Sequence, residues 1–261
     1  MSDRRIFLHR LLGFTALMTG AASIGKDGYA APLHPGPAED LERIRTLLAG
    51  KEPLKWVFVG DSITQGAKHT FGARSYPEIF SERVRYEMRR VRDVIINTAI
   101  SGNTSLNILN DYDWRVRQFQ PHVVFIMVGT NDASVAKGIS VSDFGQNLST
   151  LVRRVRADGA VPVLQTPNII LTEKATGRER LPAYIAEILQ VAAAEQTILV
   201  DHWAYWTEQA AKDVLDLHKW MNDELHPNGR GHVQMAIRLF AALGMHDPQS
   251  FTGQDHAVDR H

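Results

Sequence analysis

Residues 56–66, Trp56-Val57-Phe58-Val59-Gly60-Asp61-Ser62-Ile63-Thr64-Gln65-Gly66, carry four large apolar side chains into a glycine and then into small polar groups. A run apolar at every position cannot turn one face to water, so it suits a strand covered on both sides, as in a parallel sheet. Four further runs share that character: VIINT at 94–98, VVFIMVG at 123–129, VPVLQT at 161–166 and ILVD at 198–201. Helix signals lie between them. Ser75 and Glu78 have the spacing of a capping box, and Tyr76, Phe80, Val84, Met88 and Val91 recur at helical intervals. Ser140 with Asp143 opens a second segment, striped by Phe144, Leu148, Leu151, Val152 and Val155 and stopped by Gly159. Residues 180–196 and 231–243 supply two more. Strands alternating with helices predict right-handed crossovers, a doubly wound α/β sheet and ligands at the carboxyl ends of its strands.

The composition narrows the chemistry. At 261 residues the chain has the length of one or two domains. Its 29 basic and 29 acidic residues cancel, so no global field draws in a phosphate backbone or anionic lipid, and a nucleic-acid partner is not expected. The cluster Arg83, Arg85, Arg89, Arg90 and Arg92 is interleaved with Glu82, Glu87 and Asp93, which reads as a solvated helix face. With no cysteine, disulfides, thiolate metal sites, thiol nucleophiles and lipoprotein anchors are excluded together.

Arg4, Arg5 and Arg10 precede an uncharged stretch from Leu11 to Gly25, and small residues follow at Gly28, Ala30 and Ala31. This is the layout of an export signal peptide over residues 1–30, too short and too diluted for a stable membrane anchor. The string from Asp3 to His9 resembles a twin-arginine signal, which predicts an export-machinery partner and a periplasmic or secreted destination. Residues 31–53 then form a lead segment, 54–246 the folded domain, and 247–261 a mobile polar tail.

Ser62 stands just beyond the first strand, where it serves either as a helix cap or as a reactive hydroxyl. The surrounding residues are not a G-x-S-x-G elbow, since Thr64 holds the last glycine position. Nucleotide-binding glycine motifs and H-E-x-x-H are likewise missing. The third strand ends in Gly129-Thr130-Asn131-Asp132, where Asn131 either stabilises a turn or lends a carboxamide donor to a ligand beside Ser62. After the second strand comes Ser101-Gly102-Asn103, whose glycine lets an amide approach a ligand closely. Near the C-terminus, Asp223 precedes His226 by three residues, close enough to hold one imidazole tautomer while the other ring nitrogen faces a serine.

These four blocks, in this order between about Trp56 and Leu243, resemble the SGNH hydrolases, also called the GDSL family; the first block reads Asp-Ser-Ile where the family has Asp-Ser-Leu. The resemblance implies a flavodoxin-like three-layer α/β/α sandwich around a five-stranded parallel sheet. It implies a serine esterase with Ser62 as nucleophile, Asp223 and His226 completing the triad, and an oxyanion hole from Ser62, Gly102 and Asn131. Such an enzyme requires no metal or organic cofactor, and its partner is a small-molecule or polysaccharide ester. The absence of a long apolar stretch between strands favours a short acyl group, acetyl above all, on a carbohydrate. The rivals are a lipase or lysophospholipase and a noncatalytic carbohydrate-binding relative. Asp61 and Asp132 are expected to brace loops, and Asp216, His218 and His232 to be surface or core residues. Tyr112, Trp114, Trp203, Tyr205 and Trp206 are either core or a platform for sugar rings.

Overall fold

The computed structural model describes residues 36–66, 68–212 and 218–254; the expected signal peptide, Asp216 and residues 255–261 lie outside that set. The five apolar runs become β1 (Lys55–Gly60), β2 (Val94–Asn97), β3 (Val123–Met127), β4 (Val161–Gln165) and β5 (Ile198–Val200). They form one all-parallel sheet in the order β2-β1-β3-β4-β5, the flavodoxin-like order. The chain runs outward from β1 to the edge strand β2 and returns to β3. Its direction of winding therefore reverses between β1 and β3, and a crevice opens at their carboxyl ends.

The period of two along each strand sends alternate residues into two separate cores. Trp56, Phe58, Phe125 and Val163 face α1 (Pro37–Ala49), α3 (Tyr76–Glu82), α8 (His202–Lys212) and α9 (Gly229–Ala242). Val57, Val59, Val124 and Ile126 face α4 (Ser105–Asn110), α5 (Tyr112–Arg115), α6 (Val141–Ala157) and α7 (Leu181–Ala194). The short helix α2 (Ser62–Gln65) follows β1 directly. Rings dominate the first core: Phe58 stacks on Phe125 at 4.3 Å, and Phe80 meets Trp56 edge-on at 5.3 Å. The second core is aliphatic where it covers the sheet, because α6 and α7 present mainly Leu, Ile and Val there.

Several expectations need correction. The supposed lead segment 31–53 contains α1, whose Ile44 is fully buried and whose Asp40 makes a buried 2.9 Å ion pair with Arg156 at the end of α6. Nothing about α1 is preparatory; it covers the sheet. The supposed mobile tail is packed as far as residue 254: Phe251–Gly253 form a 3₁₀ turn, Thr252 is fully buried, and its amide and hydroxyl donate to Glu87. A polar stretch can dock in this way when a neighbouring carboxylate takes its donors.

The helix expected through Val91 is regular only to Glu82. It continues as a π-helical turn over Arg83–Glu87, and the backbone reverses at Arg89 with φ of 59°, leaving Val91 exposed. Two arginines of the expected solvated face are structural instead. Arg83 donates twice to the Met245 carbonyl, and Arg90 donates to the carbonyls of Leu48, Gly50 and Glu52 and to Asp93. Strand β2 is covered less than expected because it lies at the sheet edge.

Candidate active site

The reversal between β1 and β3 determines which loops meet. At the end of β1, a Cβ on Gly60 would lie 2.4 Å from Thr64 Oγ1 and 2.7 Å from the Met127 carbonyl, so only glycine lets the chain turn there. Asp61 then caps α2, its Oδ1 accepting from the Ile63 amide at 3.0 Å, and Ser62 becomes the first helical residue. The amides of a first helical turn have no acceptor within the helix, so the Ser62 N–H is available to a ligand. At the end of β2, Gly102 takes φ of 78°, a left-handed conformation that side chains disfavour, and open space lies where its Cβ would be.

At the end of β3, the Asn131 side chain donates to the Asn103 carbonyl at 3.0 Å and lies 3.5 Å from Asp61 Oδ2. Asp132 is fully buried and accepts from the Ser105 amide at 2.9 Å and hydroxyl at 2.6 Å. That pair of bonds ties the loop carrying Gly102 to the loop carrying Asn131. Asp61 and Asp132 are thus the braces expected. Burial pushes the Asp61 carboxyl up to about 7 against the pull of the Ile63 amide, with the charge of Asp132 adding to the rise. Burial also raises Asp132.

Asp223 and His226 arrive on an irregular stretch. Met221 bridges Pro227, and Asn222 and Asn228 donate their amides to the carbonyls of His226 and Trp220, so the segment closes on itself. Asn168, beyond β4, donates to the Leu225 carbonyl at 3.1 Å. Within this frame His226 Nε2 lies 2.8 Å from Ser62 Oγ, and His226 Nδ1 lies 2.9 Å from both carboxylate oxygens of Asp223. Serine, histidine and aspartate are in line, a nucleophile beside a base and a base beside its orienter. Burial lowers the His226 imidazole below its ordinary value despite Asp223, leaving the ring neutral and able to accept a proton. Burial alone would raise Asp223, but amide hydrogen bonds from Leu225 and His226 together with the His226 ring outweigh it and hold the carboxyl low.

Two neighbours carry no signal in the sequence. His69 lies in the loop after α2, its ring stacked on that of His226 at 3.4 Å with 4° between planes, and its Nδ1 lies 3.3 Å from Asp223 Oδ2. Arg178 donates to the Thr130 carbonyl at 3.1 Å and approaches Asn131 Oδ1 at 3.5 Å, orienting the carboxamide. No periodicity or spacing marks either residue, since each comes from an irregular stretch and meets the site only in three dimensions.

His69, Asp223 and His226 bring ligand-type atoms within 4.8 Å of one another. A metal must lie close to the plane of each imidazole it binds, and two parallel planes 3.4 Å apart cannot share one ion without turning a ring. The arrangement therefore fits hydrogen bonding and proton transfer better than chelation.

Of the remaining candidates, His232 is buried and its Nδ1 accepts the Tyr76 amide, while His218 is exposed. Trp206 is fully buried against Trp220, Tyr205 bonds Gln234, and Tyr112 is buried with its hydroxyl on Asp158, so these three are packing residues. Trp203 is half-buried against the aliphatic core, and Trp114 is 60% exposed.

Fold and cleft together define a flavodoxin-like α/β/α protein with a serine, a histidine and an aspartate aligned at a topological switch point. The chain belongs to the GDSL-like lipase/acylhydrolase family, a class of carboxylic ester hydrolases, whose profile matches residues 58–234. It is 25% identical to an acetylxylan esterase of Geobacillus stearothermophilus over 207 residues, covering 73% of this chain and 94% of that one. A protein of Mycoplasma pneumoniae is 35% identical over 109 residues, but the match covers 40% of this chain and spans only 12% of that relative. Among solved structures, an α/β hydrolase enzyme from the metagenome of Lake Arreo, Spain, superposes with a TM-score of 0.63 at 22% identity, covering 75% of this chain and 98% of the other. That likeness concerns the fold. No helix among the described residues is long and apolar enough to cross a membrane.

Proposed function

We propose that this chain is an exported serine esterase that removes acetyl groups from a carbohydrate through an acyl-enzyme. The observation that carries the reading is the continuous line from Ser62 Oγ to His226 Nε2 at 2.8 Å and from His226 Nδ1 to Asp223 at 2.9 Å. As Ser62 Oγ attacks the ester carbonyl, its proton passes to His226 Nε2, and the carboxylate of Asp223 steadies the imidazolium. The oxyanion meets the Ser62 and Gly102 amides and the Asn131 hydrogen that otherwise makes the long 3.5 Å contact to Asp61 Oδ2. Collapse breaks the bond to the sugar oxygen, which takes the proton from His226 and leaves as a hydroxyl. Water then repeats the attack on the acetyl-serine, His226 again moving the proton, and acetate leaves.

The acetyl preference is supported by the acetylxylan esterase relative. Export is supported by the charged and apolar pattern of residues 1–30. The experiment compares kcat/KM on acetyl and octanoyl esters of one chromogenic alcohol, followed by acetate release from acetylated xylan. Acetyl esters are expected to lead. A preference of about tenfold for the longer chain, about 1.4 kcal/mol of transition-state binding, would favour a lipase instead. For export, replacement of both Arg4 and Arg5 by lysine is expected to hold the protein in the cytoplasm. Unchanged secretion would point away from the twin-arginine route.

A further inference from the structure

We propose that His69 is a positioning residue of this esterase, holding the plane of the His226 ring through face-to-face contact and a shared carboxylate. The inference rests on the triad reading above. Asp223 Oδ1 is occupied by the amides of Leu225 and His226, at 2.8 Å each, and by His226 Nδ1. Oδ2 is divided between two imidazoles, His226 Nδ1 at 2.9 Å and His69 Nδ1 at 3.3 Å. The two rings lie flat on each other at 3.4 Å, so His69 covers one face of His226.

Two consequences follow from this contact. An imidazole fixed between its neighbour's face and Asp223 cannot swing about its Cβ–Cγ bond, so Nε2 stays aimed at Ser62 Oγ. A positive charge on His69 would repel one on His226 and draw Asp223 to itself. The groups acting on the pair are Asp223 and Glu224, which favour protonation of His226, and His232, which lies in reach of the positive charge on either ring. Burial of His226 and the charge of His69 act in the same direction, against protonation.

The test measures kcat, KM and the pH profile of kcat/KM on a chromogenic acetyl ester for wild type, His69→Ala and His69→Phe, with Ser62→Ala as control. His69→Ala is expected to lower kcat by about 10- to 100-fold with little change in KM, because orientation is lost while substrate contacts remain. His69→Phe keeps a flat ring over His226 and is expected to recover most of that loss. In both variants the acid limb of kcat/KM moves to higher pH, since His226 loses a repelling charge. The move is larger for His69→Ala, which also lets water reach the ring. Wild-type kcat with an unmoved acid limb in His69→Ala would overturn the proposal. Equal losses in both variants expressed in KM would also overturn it, making His69 a substrate contact. Full activity in Ser62→Ala would defeat the triad reading itself, a failure distinguishable from either of these.

Discussion

Ser62 and Asn131 stand at the ends of β1 and β3, central strands buried along almost their whole length, whereas Asp223 and His226 stand on a closed loop that belongs to no sheet or long helix. The first pair is positioned by the hydrophobic effect acting on the whole sandwich, with Gly60, Asp61 and Asp132 making the last adjustments. The second pair is positioned by individual hydrogen bonds, from Asn168, Asn222 and Asn228, and by the ring of His69. Packing holds Ser62 and polar contacts hold His226. A site built this way needs exact geometry on one side and a ring able to exchange protons on the other.

The contrast yields predictions of decreasing size. Ser62→Ala is expected to cut kcat by about 10⁶-fold while leaving the melting temperature near wild type, because the hydroxyl contributes chemistry and almost no packing. Steady-state kinetics beside a thermal melt checks both halves of that statement. Asp223→Asn is expected to cost about 10⁴-fold in kcat by stabilising the wrong imidazole tautomer, whereas Asp216→Asn stays near wild type. The opposite ranking would move the acid elsewhere. Asn131→Ala is expected to lose about 10²- to 10³-fold in kcat, less than the others because two backbone donors remain. A change confined to KM would make Asn131 a ground-state binder.

The smallest effect concerns the support beneath Ser62. His202 Nε2 meets Gln165 at 3.0 Å, Gln165 donates to the Tyr76 hydroxyl at 3.3 Å, and that hydroxyl meets Thr64 Oγ1 of α2 at 3.0 Å. Burial drives His202 down to about 3, below its ordinary 6.5. A group whose value is depressed on folding contributes fully above the unfolded value and loses that contribution as the pH falls. His202 therefore withdraws support progressively between pH 6.5 and about 3. The variant His202→Gln is expected to remove about one proton from the pH dependence of unfolding, roughly 1.4 kcal/mol per pH unit across that window. Denaturant melts of both proteins at several pH values check it; parallel slopes would show that the ring is not neutral in the fold.

The same contrast explains what could be read in the sequence. The strands were legible because their runs are nearly all apolar, as burial on both faces demands of β1, β3 and β4, and α6 because its stripe runs from Phe144 to Val155. Ser62, Gly102, Asn131, Asp223 and His226 could be named from their ordered blocks, of which the structure brings the Ser62, His226 and Asp223 side chains into one line; Asp61 and Asp132 flank those blocks. Three parts were not legible. Helix α1 packs Leu41, Ile44, Leu47 and Leu48 on the core, but its place is fixed in part by the Asp40–Arg156 pair, whose partners stand 116 positions apart. The docked stretch through Thr252 depends on Glu87, far away in the chain. His69 gains its place only because the loop after α2 folds over a segment more than 150 residues later, and no local pattern can encode such a meeting.

The docking of residues 245–254 bears on the order in which the molecule is made. The guanidinium of Arg83 is buried with Met245 as an acceptor, and Glu87 takes donors from Thr252, so a π-helical turn formed early in synthesis waits for partners translated some 160 residues later. Until the ribosome has delivered them, one guanidinium and one carboxylate at the foot of α3 remain hydrated, and the aromatic core beside them is unsealed. The nascent chain can assemble its sheet during elongation, but closure over this corner waits until residues 245–254 have been translated.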